Sequence, residues 1–262
     1  MITDYKNAEE FRTVLESAYR EAEVRLDTQS APSSTSSTPN RGMNWYIDQT
    51  LLKPEATTQQ VLALCESAKT HAFRAVCVNT RFVSLCRKAL SGTEVRIAAV
   101  VGFPLGASLT SVKAFEAKIA LEQGAKEIDM VLSVGALKEG DFFGVFQDIV
   151  AVVRSTAPWP VKVILETCLL GREEKIRAAL IAKLAGAAFV KTSTGFSSGG
   201  ATLDDVRLLR AVVGTDMGVK ASGGVRDRKV ALDMIDAGAD RIGTSSGEAI
   251  MGSGPKAAEG SY

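Results

Sequence analysis

From Trp45 onward the chain repeats one pattern of apolar and polar positions. Short apolar segments, WYIDQT, RAVCVN, VRIAAVVG, EIDMVLS, VKVILET, AFVKTST, GVKASGG and RIGTSSG, alternate with longer amphipathic stretches. Among the latter are TTQQVLALCESAKT, TSVKAFEAKIALEQG, DFFGVFQDIVAVVRS, REEKIRAALIAKLAG and TLDDVRLLRAVVG. Apolar runs that alternate with stretches of helical periodicity predict βα units on a parallel sheet. Glycine closes several of the helical stretches, as in LEQGAKEIDM, LAGAAFV and IDAGADRIG, where a helix stop is expected. Eight strand candidates over residues 43–262 predict an α/β protein, a (β/α)8 TIM barrel with an N-terminal helical extension. A doubly wound open sheet is the alternative, but its dinucleotide-binding version needs a G-x-G-x-x-G after the first strand, and none is present.

The pattern before Trp45 is different. Phe11, Leu15, Ala18 and Ala22 fall on one face at helical spacing, so residues 1–27 are predicted to form an amphipathic extension with its helix over 6–26. That face suits docking on the main domain or on a partner, without catalytic duty. Residues 28–42, TQSAPSSTSSTPNRG, offer almost nothing to bury and read as a flexible linker.

Composition narrows the function. Thirty-one basic and 30 acidic side chains leave a net charge of +1, which favours neither nucleic acid nor a membrane surface as partner. No apolar run approaches the length of a membrane span, and Glu9, Glu10, Glu16, Glu21 and Glu23 argue against a targeting peptide. Cys65, Cys77, Cys86 and Cys168 form no C-x-x-C pair, which fits a reducing, cytoplasmic setting. With His71 as the single histidine, neither an imidazole-rich metal site nor a second histidine base is on offer. His71 itself lies at a helix-to-strand junction, where a surface or capping role is expected. Lysines and carboxylates are left to do the chemistry.

Those groups interrupt the apolar strands. EIDMV carries Asp129, VKVILET carries Lys162 and Glu166 on one face, FVKTST carries Lys191 and GVKASGG carries Lys220. Lys162 with Glu166 reads equally well as an ion pair filling the barrel centre. Lys191 and Lys220 are harder to explain by stability, because buried ion pairs are weak stabilisers. A desolvated amine beside a second cation loses its proton more readily and then attacks carbonyl carbon. Lys191 is thus the candidate Schiff-base former, Lys220 its electrostatic activator and Asp129 a proton relay. The hydroxyls of Thr192 and Thr194 are candidates to hold a water nearby. Three glycine- and serine-rich loops, STGFSSGG, SGGVRD and GTSSG, follow the last three strands. Such loops suit a phosphate, and Arg226 and Arg241 lie close in sequence. Two other readings stay open: a pyridoxal-phosphate enzyme using Lys191 and the same loops, and a catalytically silent sugar-phosphate-binding barrel.

Taken together, IDQTLLKPEAT, VVGFPLG, EIDMV, VKVILET, FVKTSTGFSSGGAT, VKASGGVR and RIGTSSG resemble the deoxyribose-phosphate aldolases in unbroken order from Tyr46 to Gly247. The resemblance implies a class I aldolase with a (β/α)8 fold and no metal or other cofactor. Such an enzyme cleaves 2-deoxyribose 5-phosphate reversibly to glyceraldehyde 3-phosphate and acetaldehyde. Its partners would be a phosphorylated sugar and small aldehydes, and it would form a homodimer. It also implies Lys191 as the Schiff-base residue, Asp129 as proton donor and acceptor, and Lys220 as the neighbour that depresses the amine pKa. Gly195, Gly223, Gly224, Ser245 and Ser246 match phosphate-binding positions. Gln49 stands where the family commonly has histidine, and Phe196 where some members have lysine. The C-terminal Tyr262 is a candidate to fold over the site and assist proton transfer.

Overall fold

A computed structural model describes residues 4–28 and 41–252. Its eight strands are β1 (Ile47–Leu51), β2 (Ala75–Asn79), β3 (Arg96–Val101), β4 (Glu127–Val131), β5 (Val161–Ile164), β6 (Phe189–Lys191), β7 (Gly218–Ser222) and β8 (Arg241–Thr244). Each pairs in parallel with the next, and β8 returns to β1 through Ile47↔Ile242 and Asp48↔Gly243, closing the barrel. The helices are α1 (Ala8–Thr28), α2 (Thr58–Thr70), α3 (Val83–Ala89), α4 (Thr110–Gln123), α5 (Val134–Lys138), α6 (Phe142–Thr156), α7 (Arg172–Leu184), α8 (Leu203–Val213), α9 (Arg228–Asp236) and α10 (Gly247–Met251). The expected (β/α)8 TIM barrel with an N-terminal helix is what the chain forms. No described helix is long and apolar enough to cross a membrane.

Strand alternation divides the apolar residues into two sets. Ile47, Val76, Ile97, Ile128, Val163, Val190, Val219 and Ile242 join the helices in the main core, whereas Leu52, Cys77, Ala98 and Val100 form a second cluster. Helix ends follow the local chemistry. Thr57 and Gln60 form a capping box on α2, and Asp227 accepts from the Val230 amide at the start of α9. His71 is the C-cap residue of α2, its ring stacked on Phe73. Inside the wall of helices a buried ion pair, Lys113–Asp148 at 2.6 Å, ties α4 to α6, and Lys113 also donates to the Val131 carbonyl at 3.1 Å.

The N-terminal helix begins at Ala8, two residues after the expected start, because the Asn7 side chain accepts the Glu10 amide at 2.9 Å. It lies across α6, α7 and α8. Phe11, Leu15 and Ala22 are fully buried there, and Phe11 meets the rings of Tyr5, Phe143 and Phe146. Arg177 of α7 pairs with Glu16 at 2.6 Å and stacks over Tyr19. Of the two docking options open in the sequence, this face meets the barrel of its own chain. Residues 29–40 of the expected linker lie outside the described residues. Phe11→Ala should empty a fully enclosed site and lower stability by about 3–5 kcal/mol. Urea unfolding of the full chain measures this, and a loss below ~1 kcal/mol would mean that the helix is loosely held.

Candidate active site

Seven charged side chains meet inside the barrel, each no more than 4% exposed: Asp48, Glu127, Asp129, Lys162, Lys191, Lys220 and Arg241. They arrive there by register. Asp129 pairs with Lys162 across β4–β5, Lys191 with Lys220 across β6–β7, and Lys220 with Arg241 across β7–β8. Glu127 reaches the same side as Asp129 because the two lie two residues apart on β4. Gly243 makes room for this crowd: a Cβ there would stand 2.2 Å from the Ser222 hydroxyl and 3.0 Å from Lys220 Cε.

Six of the seven form a closed ring of alternating charge. Arg241 contacts Glu127 at 3.0 Å, Glu127 contacts Lys162 at 2.6 Å, and Lys162 contacts Asp129 at 2.7 Å. Asp129 Oδ2 accepts from Lys220 at 2.8 Å, Lys220 reaches Asp48 at 2.5 Å, and Asp48 returns to Arg241, accepting from its Nε at 2.8 Å. Three carboxylates balance three cations, every member has at least two opposite neighbours, and Lys162 also lies 4.0 Å from Asp48 across the ring. Arg96, partly exposed, adds a contact to Glu127 from outside at 3.3 Å.

Lys191 is the seventh group. Its Nζ donates to Asp129 Oδ2 at 3.0 Å, the oxygen that Lys220 already occupies. The two amines therefore sit far inside a screening length of roughly 10 Å. Burial works first against the Lys191 ammonium and the Lys220 charge second, so the Lys191 pKa is lowered despite Asp129. Burial also opposes the charge on Lys220, but Asp129 and Asp48 more than offset it, and its pKa is raised. Desolvation is likewise outweighed at Asp129, whose carboxyl the lysines hold well below the usual range, with Lys162 foremost. Of the four cations gathered here, Lys191 alone has its charged form disfavoured, whereas at Lys162, Lys220 and Arg241 burial is outweighed and the pKa values are raised by their carboxylate neighbours.

Comparison with known proteins places the barrel in a family. A family model described as DeoC/LacD family aldolase matches residues 43–253. The chain belongs to that family. It is 56% identical over 209 residues to the deoxyribose-phosphate aldolase of Streptococcus sanguinis, spanning 80% of this chain and 95% of that protein. It is also 56% identical over 207 residues to the Clostridium tetani deoxyribose-phosphate aldolase, spanning 79% and 96%. The solved tetrameric deoxyribose phosphate aldolase of Aeropyrum pernix superposes with a TM-score of 0.72 at 32% identity, covering 91% of this chain and 97% of that one.

In this aldolase the loops after the strands assemble above the ring. Gly195, Gly223 and Gly224 all have left-handed backbones, at φ 88°, 91° and 81°. Gly200 packs so closely on the next loop that a Cβ would stand 2.4 Å from the Gly223 carbonyl oxygen, and the Ala201 amide donates to that oxygen at 3.0 Å. Across the barrel, Phe103 after β3 and Phe196 after β6 meet edge to face, centroids 5.3 Å apart. Ser245 and Ser246 follow β8, where the Gln49 carboxamide contacts the chain.

The structure parts two residues that the sequence put on one face. Lys162 belongs to the ring, whereas Glu166 lies beyond the end of β5 at φ 57°, where strand alternation no longer applies. Glu166 instead accepts from the amide and hydroxyl of Thr194. The Thr192 hydroxyl is committed to the Ser222 backbone, donating to its carbonyl and accepting from its amide, both at 3.1 Å. Tyr262 lies outside the described residues. Sequence reasoning missed Asp48, Glu127 and the inward aim of Arg241. The spacing of Glu127 and Asp129 on EIDMV held the first clue, since residues two apart share a face. It also missed Ser193 and Ser222, whose hydroxyls are buried with no hydrogen-bond partner among the described residues.

Asp48→Asn opens the ring and leaves Lys220 and Arg241 each with one carboxylate. The expected cost is about 3–5 kcal/mol, measured as a lower urea midpoint at pH 7. An unchanged midpoint would show that the ring carries no stability.

Proposed function

We propose that this aldolase cleaves 2-deoxy-D-ribose 5-phosphate reversibly to D-glyceraldehyde 3-phosphate and acetaldehyde, in the breakdown of deoxyribose from deoxyribonucleotides. The observation that carries the proposal is the position of Lys191, buried beside Lys220 but outside the neutral ring. The names of the relatives from Streptococcus and Clostridium support the substrate.

In the cleavage direction, neutral Lys191 Nζ adds to the C1 aldehyde carbon of the open-chain sugar, giving a carbinolamine. Uptake of one proton by its hydroxyl and loss of water give the protonated imine. The C3 hydroxyl then loses its proton, the C3 carbonyl forms, and the C2–C3 bond breaks with its electron pair passing into the enamine. That step releases glyceraldehyde 3-phosphate. Protonation at C2 and hydrolysis of the imine free acetaldehyde and restore the amine. Asp129 Oδ2, 3.0 Å from Lys191 and 2.8 Å from Lys220, is positioned to take the proton shed at the amine and to return it. Lys220, kept charged by Asp129 and Asp48, repels the Lys191 ammonium and so eases loss of its proton. Gly195, Gly223, Gly224, Ser245 and Ser246 are the proposed phosphate cradle, supported by the left-handed glycines that let backbone amides approach an anion.

A cytoplasmic homodimer completes the reading. The four free thiols support a reducing compartment. Leu109, Val112 and Phe115, exposed along one side of the α4 region, support a second copy as partner.

Sodium borohydride added with acetaldehyde should reduce the imine and leave an ethyl group on Lys191, located by peptide mass mapping. Label on another lysine, or none, would remove Lys191 from the mechanism. Lys220→Leu removes the cation that disfavours protonation, so the Lys191 pKa should rise. The ascending limb of kcat/KM against pH then moves upward by about one unit or more. A limb that stays in place, or moves down, contradicts the role given to Lys220.

A further inference from the structure

Gln49 is a buried polar side chain for which the mechanism has no use. It sits on β1, one residue after ring member Asp48, with its side chain directed at the turn that follows β8 and only 6% exposed. Both ends of its carboxamide are bound to that turn. Oε1 accepts the Gly247 amide at 3.0 Å, and Nε2 donates to the Ser245 carbonyl at 3.4 Å. The two bonds straddle Ser246. The fit is close: a Cβ on Gly247 would lie 2.4 Å from Gln49 Oε1 and 2.9 Å from the Phe73 ring. Inside the turn, the Ser246 amide donates to Thr244 Oγ1 at 2.9 Å, and that hydroxyl donates to the Val225 carbonyl at 2.6 Å. Val225 directly follows Gly223 and Gly224. One chain of hydrogen bonds thus runs from β1 through the β8 turn to the β7 loop.

Only a group with a donor and an acceptor at its tip can make both Gln49 bonds. An apolar side chain of the same length would leave the Gly247 amide buried without a partner, which is costly. With the amides of Ser246 and Gly247 both held by the protein, Ser245 and Ser246 are carried on a turn fixed from behind. We propose that Gln49 is a positioning residue for substrate phosphate: it holds the Ser245–Gly247 turn in register with the Gly223–Gly224 loop, and so sets the preference for phosphorylated over unphosphorylated sugar. This rests on the phosphate cradle proposed above. Gln49 touches no reacting atom, so its loss should change recognition of the phosphate and not the chemistry at Lys191.

The test compares kcat/KM for 2-deoxyribose 5-phosphate with kcat/KM for 2-deoxyribose in wild type, Gln49→Met and Gln49→Ala. The ratio should fall about tenfold in both variants, through KM for the phosphorylated sugar, the size expected when a loop loses its anchoring hydrogen bonds. Competitive inhibition by inorganic phosphate should weaken by a similar factor. A ratio within about twofold of wild type, even if both rates drop, overturns the proposal, because a merely structural residue affects both sugars alike. If neither variant folds, amide exchange on the wild type decides. Saturating inorganic phosphate should slow exchange in the peptide containing residues 244–250, and no slowing refutes the coupling. Failure of the aldolase reading itself looks different: wild-type Lys191 would not be trapped by borohydride with acetaldehyde.

Discussion

The arrangement inside the barrel depends on closure of an ionic ring. A single buried ion pair repays its desolvation poorly, and seven charges in a space sealed by apolar strands would be untenable as separate pairs. Closing the chain of contacts gives each of Asp48, Glu127, Asp129, Lys162, Lys220 and Arg241 two opposite neighbours. The ring fixes the side chains without excess charge, and its neutrality singles out Lys191. That lysine shares an oxygen with Lys220 and has no carboxylate of its own. In the proposed mechanism the reactivity of that amine is a property of the whole ring.

How much of this could be read in the sequence depended on the distance over which the information acts. Strand and helix order is local, and the hydropathy alternation carried it. Lys191, Lys220 and Asp129 were legible because charge inside an apolar strand is unusual wherever the strand goes. Asp48 and Arg241 are far apart in the chain, and only the closure of β8 on β1 brings them together. Glu166 shows the opposite limit. Its left-handed backbone, just past a four-residue strand, breaks the alternation by which a face is assigned.

The glycine-rich loops carry two signals that the sequence cannot separate. Gly223 has a backbone suited to approaching an anion, yet Gly200 is small because the Gly223 carbonyl lies against it, and Gly199 because Cys168 does. Part of the glycine content therefore joins loops to one another. Gln49 extends the same joinery to β1. Its carboxamide is a reminder that a departure from a familiar motif can have its own geometric purpose.

The seat of α1 has a consequence for how the chain is made. Phe11 and Leu15 are synthesised well before the helices that cover them, α6 to α8, which end only at Val213. At about 5–20 residues per second, roughly 10–40 s of translation separate the two. Throughout that interval a newborn polypeptide carries an apolar stripe with nowhere to rest, a natural foothold for a chaperone.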